Sequence, residues 1–366
     1  VGYLWTDERG LLACLWWIAR GAALGQIEEV MQLFRILTLR LVTAAITLIG
    51  VAVIVFVVIR VVPGNPIAMM LPPGATEADI AQLTALYGLD KSIFQQFLIW
   101  GGGVLQGDFG TSISTRQPVL ELVLGRLPAT LELSVMALVI AVFVGGAAAL
   151  VGTARRGTRA EAAIDVSSGM ALSVPDFLWG LLLILTFGVL WPVLPISGRV
   201  TPALDLPFSS NFYLIESLLR LRFDLWADIA GHMLLPSLAL AIPLAAIIAQ
   251  LLKQSLKETI HLDYVTLART KGYSEGHVIL REALPNAVLP TLTLVGVQFT
   301  FLIGGTVIIE RLFSYEGLGN MAIDAVINRD LPLIQGIVIL FAVIFAGVNL
   351  AVDLAYGLLN PRLRHG

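Results

Sequence analysis

One carboxylate stands alone in a long apolar run: Asp176 is the only charged residue between Asp165 and Arg199. A charge inside a hydrocarbon layer costs roughly 2.5–3.5 kcal/mol on insertion scales, so it should face a cavity or a partner. At about 1.5 Å per helical residue, Asp176 lies ~16 Å beyond Asp165, near mid-bilayer if a span starts there. On that count it is a pathway residue able to meet an amine; if the span begins later, it is an interfacial residue. The other chemistry-bearing residue types form no catalytic arrangement. Cys14 is the only cysteine, so neither a disulfide framework nor a Cys-based metal site is available. With four histidines and no His-Glu-x-x-His, no Ser/His pair and no paired intramembrane aspartates, a protease would lack its parts. His232 reads as interfacial rather than as a metal ligand. There is no G-x-x-x-x-G-K-[ST] phosphate loop, so ATP binding by this chain is not expected. The sequence predicts no enzyme and no cofactor.

The second group that stands out is a charged island, DYVTLARTKGYSEGHVILREALPNAVLP, from Asp263 to Pro290 between two apolar runs. Read as a helix, Tyr264, Leu267 and Ala268 fall at i, i+3 and i+4 and form a narrow apolar face, while Arg269 and Lys271 point elsewhere. Gly272 stops or bends that helix, and Ser274 is placed to cap a second one. Pro285 sits just inside the next apolar run. A mere connector needs only a few turn residues. This spacing predicts a helix–Gly–helix elbow with a face to offer.

The elements that must position these residues are membrane spans. The chain is 57% hydrophobic and 13% charged, with a mean hydropathy of +0.86, whereas soluble domains run near 25% charged. A net charge of −3 and the lack of a long basic run exclude a nucleic-acid surface. Six segments are apolar enough to cross a bilayer, which takes about twenty helical residues. They are Leu41–Ile59, the stretch between Glu132 and Arg155, Ala162 to Trp191 with Pro175 inside, and the stretches between Asp228 and Lys253, Glu282 and Glu310, and Asp330 and Asp353. The predicted fold class is therefore all-α, a polytopic membrane protein with six transmembrane helices. Pro236 and Pro243, and Gly296, Gly304 and Gly305, allow bending and close helix approach. Asn349 and Asp353 face either a partner helix or the interface.

Basic residues orient the spans. Arg35 and Arg40 precede the first; Arg155, Arg156 and Arg159 follow the second; Lys253, Lys257, Arg269, Lys271 and Arg281 follow the fourth; Arg362 and Arg364 follow the sixth. The positive-inside rule puts both ends and the elbow in the cytoplasm. The organisation expected is a leader over 1–34, a first span over 35–60, an outside region over 61–128, a core over 129–360 containing the loop 253–285, and a tail over 361–366. The first Met is Met31, and residues 1–30 are expected to be dispensable. The outside region opens on the turn Pro63-Gly64-Asn65-Pro66, and Thr76 caps a predicted helix through Tyr87, with further short helices around Ile93–Trp100 and Val119–Leu124. No internal repeat is visible, which suggests that a second polypeptide supplies the other half of the membrane unit.

The island resembles the cytoplasmic loop of ATP-binding cassette (ABC) importer permeases, which carries Glu-Ala-Ala, then Gly, then Leu-Pro thirteen residues after the Gly. Ala268, Gly272, Leu284 and Pro285 stand in that register, while Thr266 and Leu267 replace the Glu and first Ala. Three further stretches resemble the dipeptide/oligopeptide/nickel branch: IRVVPGNPIAMMLPPGATEADIAQLTALYGLD, GDFGTSISTRQPVLELVLGRLPATLELS and GGTVIIERLFSYEGLGNMAIDAVINRDLPLIQG. The resemblance runs from about Arg35 to the end and is to the first of the branch's two paired permeases. It implies a heterodimer with a second homologous permease, two cytoplasmic ATPase subunits, and an extracytoplasmic solute-binding protein. It makes the elbow an ATPase-coupling helix, with Tyr264, Leu267 and Ala268 on its buried face and Gly272 at its turn. The cargo it implies is di- or oligopeptides, or alternatively a nickel chelate or another small solute.

Overall fold

A backbone crossing hydrocarbon must satisfy its own hydrogen bonds, and helices do so within one segment. The computed structural model describes residues 38–58, 76, 90–204 and 206–359. Among them every regular element is helical apart from one bridge between Thr111 and Pro118. The expected leader, the turn at Pro63, the helix through Tyr87 and the tail lie outside the described residues.

The elements in order are α1 (Thr38–Val58), α2 (Ile93–Leu105), α3 (Val119–Ala154) and α4 (Arg159–Ser173). Then come α5 (Asp176–Ile184) with a π-helical turn at Leu185–Leu190, α6 (Tyr213–Leu219) and α7 (Phe223–Thr259). The last are α8 (Asp263–Thr270), α9 (Glu275–Leu312), α10 (Leu318–Ile327) and α11 (Leu331–Leu359). Five of these, α1, α3, α7, α9 and α11, are long and apolar enough to cross a membrane, and α4 with α5 make a sixth if the bent pair is one span.

The third predicted span is not a single helix. It breaks between α4 and α5, which are bent by 101°. Pro175 supplies the cause: the residue before a proline is driven out of the helical region, and Val174 is extended at φ −105°, ψ 125°. Several of the acidic residues that bound the predicted spans also lie inside helices. Glu132 is within α3, Asp228 within α7 and Glu310 within α9, and the separate short helix expected at Val119–Leu124 is the first turn and a half of α3. Each of these carboxylates has found donors, so none needs to sit at a helix terminus.

The bundle is built around α3 and α7. Ala129, Leu133, Ala137, Ala141, Gly145 and Ala149 recur every four residues on one buried face of α3. Small side chains let two backbones come together where lipid offers no hydrophobic driving force. At Gly145 the approach is close enough that a Cβ would stand 2.4 Å from the Ala245 carbonyl oxygen. Gly296 plays the same part between α9 and α11, where a Cβ would meet Val352 at 2.4 Å, whereas Gly304 faces open space. α1 is anchored by Phe56, buried against Phe97 and Trp100 of α2 at ring distances of 5.2 and 5.5 Å.

Candidate functional site

α7 ends at Thr259, and the chain turns through His261 and Leu262 into α8. Gly272 follows with φ +85°, a conformation glycine adopts without steric cost, and the Ser274 hydroxyl accepts the His277 N–H at 3.4 Å to start α9. The expected elbow is thus present. Arg269 bridges its two arms by donating to both Glu275 oxygens at 2.9 and 3.2 Å. A π-helical turn at Val278–Ala283 comes just before Leu284 and Pro285. That widened turn accommodates a proline, which cannot donate to the carbonyl four residues back. Leu284 packs against the cluster of Ala149, Leu252, Leu256, Ile260, Ile279, Ala283 and Ala287, which seats the elbow on the ends of α3 and α7; Pro285 is exposed.

The apolar face expected from Tyr264, Leu267 and Ala268 is split by the structure. Ala268 turns inward with Val265, and both are buried against Val278. Tyr264 and Leu267 remain 39% and 55% exposed, joined on the elbow's surface by Leu262, Tyr273 and Leu280. Val265, passed over in the sequence, takes the inward place because it lies three residues before Ala268 on the same side of the helix. The Tyr264 hydroxyl accepts from the Asn286 side chain at 2.8 Å, which ties α8 to α9. Nearby, Lys253 lies within α7 rather than in the loop and pairs with Glu161 at 2.8 Å and Asp165 at 2.7 Å on α4.

The end of the bundle away from the elbow holds four buried carboxylates to which the sequence alone gives no role: Glu216, which accepts from Ser209 and Ser210 nearby in the chain, and three that join distant segments. Glu132 takes a hydrogen bond from Arg199 at 2.8 Å and also accepts the N–H groups of Leu214 and Ile215 at 2.9 and 3.2 Å, capping α6. Arg199 also donates to the Asn211 carbonyl and lies 3.9 Å over the Tyr213 ring. Glu310 accepts from Thr130 at 2.7 Å and from the Asn320 N–H at 3.0 Å, while the Leu318 N–H donates to Thr130. A Cβ at Gly317 would meet that carboxylate at 2.4 Å, and one at Gly319 would meet the Val307 Cα at 2.5 Å. Asp330 accepts from the Ser112 and Ser114 hydroxyls and the Ser114 N–H, and from the Leu333 N–H at the start of α11. Burial alone would raise the Asp330 pKa, but these donors outweigh it and hold the carboxyl below its ordinary range. The legible signal was an acidic residue inside an otherwise apolar helical run, together with the Gly-x-Gly that follows Glu310.

Asp176 begins α5 at the apex of the bent pair and is half-buried. Its Oδ1 accepts the Phe177 N–H at 2.8 Å. Its Oδ2 lies 3.8 Å from where a Cβ at Gly305 would stand. From the elbow end, the helical rise to Asp176 along α4 is about 25 Å, and from Pro285 to Gly305 along α9 it is about 30 Å. Asp176 thus stands well along the bundle from the elbow, at the bend between α4 and α5 and against Gly305 of α9. Among the described residues no group of three or more His, Cys, Asp or Glu is arranged to hold a metal ion.

Residues 137–365 match the family model for the binding-protein-dependent transport system inner membrane component, and residues 33–134 match the model for the N-terminal part of such membrane components. The chain belongs to this family. It is a multi-pass inner membrane permease subunit of an ABC importer, a class of system whose other parts are a solute-binding protein and ATPases. The chain is 38% identical over 326 residues to the dipeptide transport system permease protein DppB of Escherichia coli K12, covering 87% of this chain and 95% of that one. It is 37% identical over 320 residues to the di/tripeptide transport system permease protein DppB of Pseudomonas aeruginosa UCBPP-PA14, with the same coverages. The oligopeptide transport system permease protein AppB of Bacillus subtilis 168 is 31% identical over 319 residues, again across 87% of this chain and 95% of that one.

Proposed function

We propose that this chain forms one half of the membrane pathway of an importer for di- and oligopeptides, paired with a second homologous permease. Two cytoplasmic ATPase subunits drive it, and an extracytoplasmic binding protein delivers the cargo. Both termini and the elbow are cytoplasmic, and α6, α10 and the segment around Ser112 lie on the outer side. The excess of Lys and Arg in the elbow and around Arg155 supports this orientation. The names of the relatives support the peptide cargo.

The observation that carries the coupling role is the two-sidedness of α8. Its inward face, Val265 and Ala268, is occupied by Val278 of the same chain, and Tyr264 and Leu267 are left exposed beyond it. A short helix braced from behind by Arg269–Glu275 and Tyr264–Asn286 is a rigid ridge, and its exposed apolar residues fit a cleft in an ATPase. Gly272, Leu284 and Pro285 set its angle, and the ATPase stroke is transmitted through it to α7 and α9. The test is Leu267→Asp in the assembled importer in proteoliposomes. Uptake and binding-protein-stimulated ATP hydrolysis should become uncoupled, with the membrane helices still inserted. Normal stimulation together with normal uptake sinks the coupling role. Mass spectrometry of solute carried by the purified complex tests the cargo.

A further inference from the structure

The carboxylates around the core of the bundle are nearly all accounted for within the chain. Glu132 has Arg199, Glu161 and Asp165 share Lys253, Glu310 has Thr130 and Asn320, and Asp330 has Ser112 and Ser114. Asp176 differs: its one hydrogen bond comes from the N–H of the next residue, and it makes no ion pair among the described residues. The helices on either side of it, α4 just before it in the chain and α9 against it at Gly305, carry exposed apolar residues. On α9, Val297, Phe301 and Ile308 are 41%, 68% and 55% exposed, with Gly304 opening the space between them. On α4, Val166 and Met170 are each 62% exposed. Lipid alone would explain the apolar side chains, but a carboxylate among them calls for water or a counter-charge.

We propose that Asp176 is the cargo-facing charge of this pathway wall and that it binds the ammonium group of a passing peptide; this rests on the peptide reading above. A transporter that accepts many peptides must tolerate many side chains, and the amino terminus is the cation they share. A single carboxylate in an apolar wall answers that requirement. It gives one charge-assisted hydrogen bond to a feature common to all cargo, and the surrounding surface makes no demand on side-chain identity. The residue facing it on α9 is a glycine, so no side chain from that position stands over Oδ2. Its place about 25 Å along the bundle from the start of α4 sets it toward the side from which the binding protein would deliver cargo.

The experiment uses the assembled importer with its binding protein in proteoliposomes. Asp176→Asn should leave the complex intact, with ATP hydrolysis still stimulated, and lower uptake of a free-amine peptide roughly tenfold or more, the weight of one charged hydrogen bond. Asp176→Glu should retain most uptake. In a Cys14→Ser background, the thiol introduced by Asp176→Cys should react with hydrophilic methanethiosulfonates in the assembled complex. A sulfonate-bearing reagent should restore uptake and an ammonium-bearing one should not, a split that a purely structural role does not produce. No reaction in the assembled complex means lipid or a subunit contact covers the site, and the proposal is overturned. It is overturned equally if Asp176→Asn transports normally or if the two reagents act alike. Should the wild-type importer take up no peptide, the peptide reading fails by itself; thiol access, and the effect of reagent charge on uptake of the solute found by mass spectrometry, still decide whether Asp176 lines the pathway.

Discussion

Glu132 on α3 and Arg199 in the segment before α6 stand 67 residues apart in the sequence, yet their side chains meet at 2.8 Å with 2% and 6% of their surface exposed. The pair holds the segment from Arg199 to α6 down on the end of the bundle. Neither charge can be removed singly without stranding the other. Truncating one partner of such a pair costs about 3–5 kcal/mol, whereas replacing both with apolar groups is often neutral. Arg199→Met alone should therefore lower the thermal midpoint of the detergent-solubilised protein far more than Arg199→Met combined with Glu132→Met. Additive losses in the double variant would show that the two act independently.

Asp330 should make stability depend on pH. Its carboxyl is held below the ordinary carboxylate range in the folded chain, against about 3.9 when unfolded. A depressed folded pKa means that the unfolded state binds the proton more readily. The contribution is thus fully present above the unfolded value and is lost as pH falls through the folded one. Asp330→Asn should flatten the fall in thermal midpoint between about pH 5 and about pH 3, and so, less completely, should Ser114→Ala. An unchanged slope in Asp330→Asn would refute the assignment.

Much of this arrangement was legible in the sequence, for reasons that differ from one element to the next. Long apolar runs announce spans because hydrocarbon tolerates little else, and Gly272 with Ser274 announced the elbow because turn and cap chemistry is local. What stayed hidden was pairing at long range. Glu132 and Glu310 looked like helix ends because a charge inside a span is costly, and nothing local reveals that Arg199 or Thr130 lies opposite. The bend at Val174-Pro175 was legible as a proline but not as an angle, since a proline kinks one helix mildly and ends another. The inward turn of Ala268 depended on Val278, which only the folded elbow brings near.

The orientation can be checked with single cysteines in the Cys14→Ser background. Glu316 is 63% exposed on its side chain at the end away from the elbow, and Thr158 is exposed in the turn between α3 and α4. Ser112 is a poor reporter of the outer side, being buried against Asp330. In intact spheroplasts an impermeant thiol reagent should label Glu316→Cys and spare Thr158→Cys. After lysis both should react. The reverse pattern inverts the topology, and with it the side on which an ATPase could dock.

Gly272 separates two accounts of the elbow. A Cβ there would meet nothing within 4 Å in this chain, so no internal clash forbids a larger residue. What restricts it is φ +85°, where an L-residue pays roughly 1–2 kcal/mol and a β-branched one more, while asparagine visits the region comparatively easily. If the glycine matters for the angle between α8 and α9, Gly272→Asn should be mild and Gly272→Val severe. The severe variant should keep its spans inserted and lose the coupling of uptake to stimulated ATP hydrolysis, because Ser274 would no longer be aligned to start α9. If instead the glycine matters because an ATPase backbone lies against it, side-chain bulk decides, and Asn and Val should be comparably harmful. Uptake and ATPase rates measured side by side on the two variants distinguish these outcomes. Wild-type behaviour in Gly272→Val would remove the elbow's angle from the mechanism altogether.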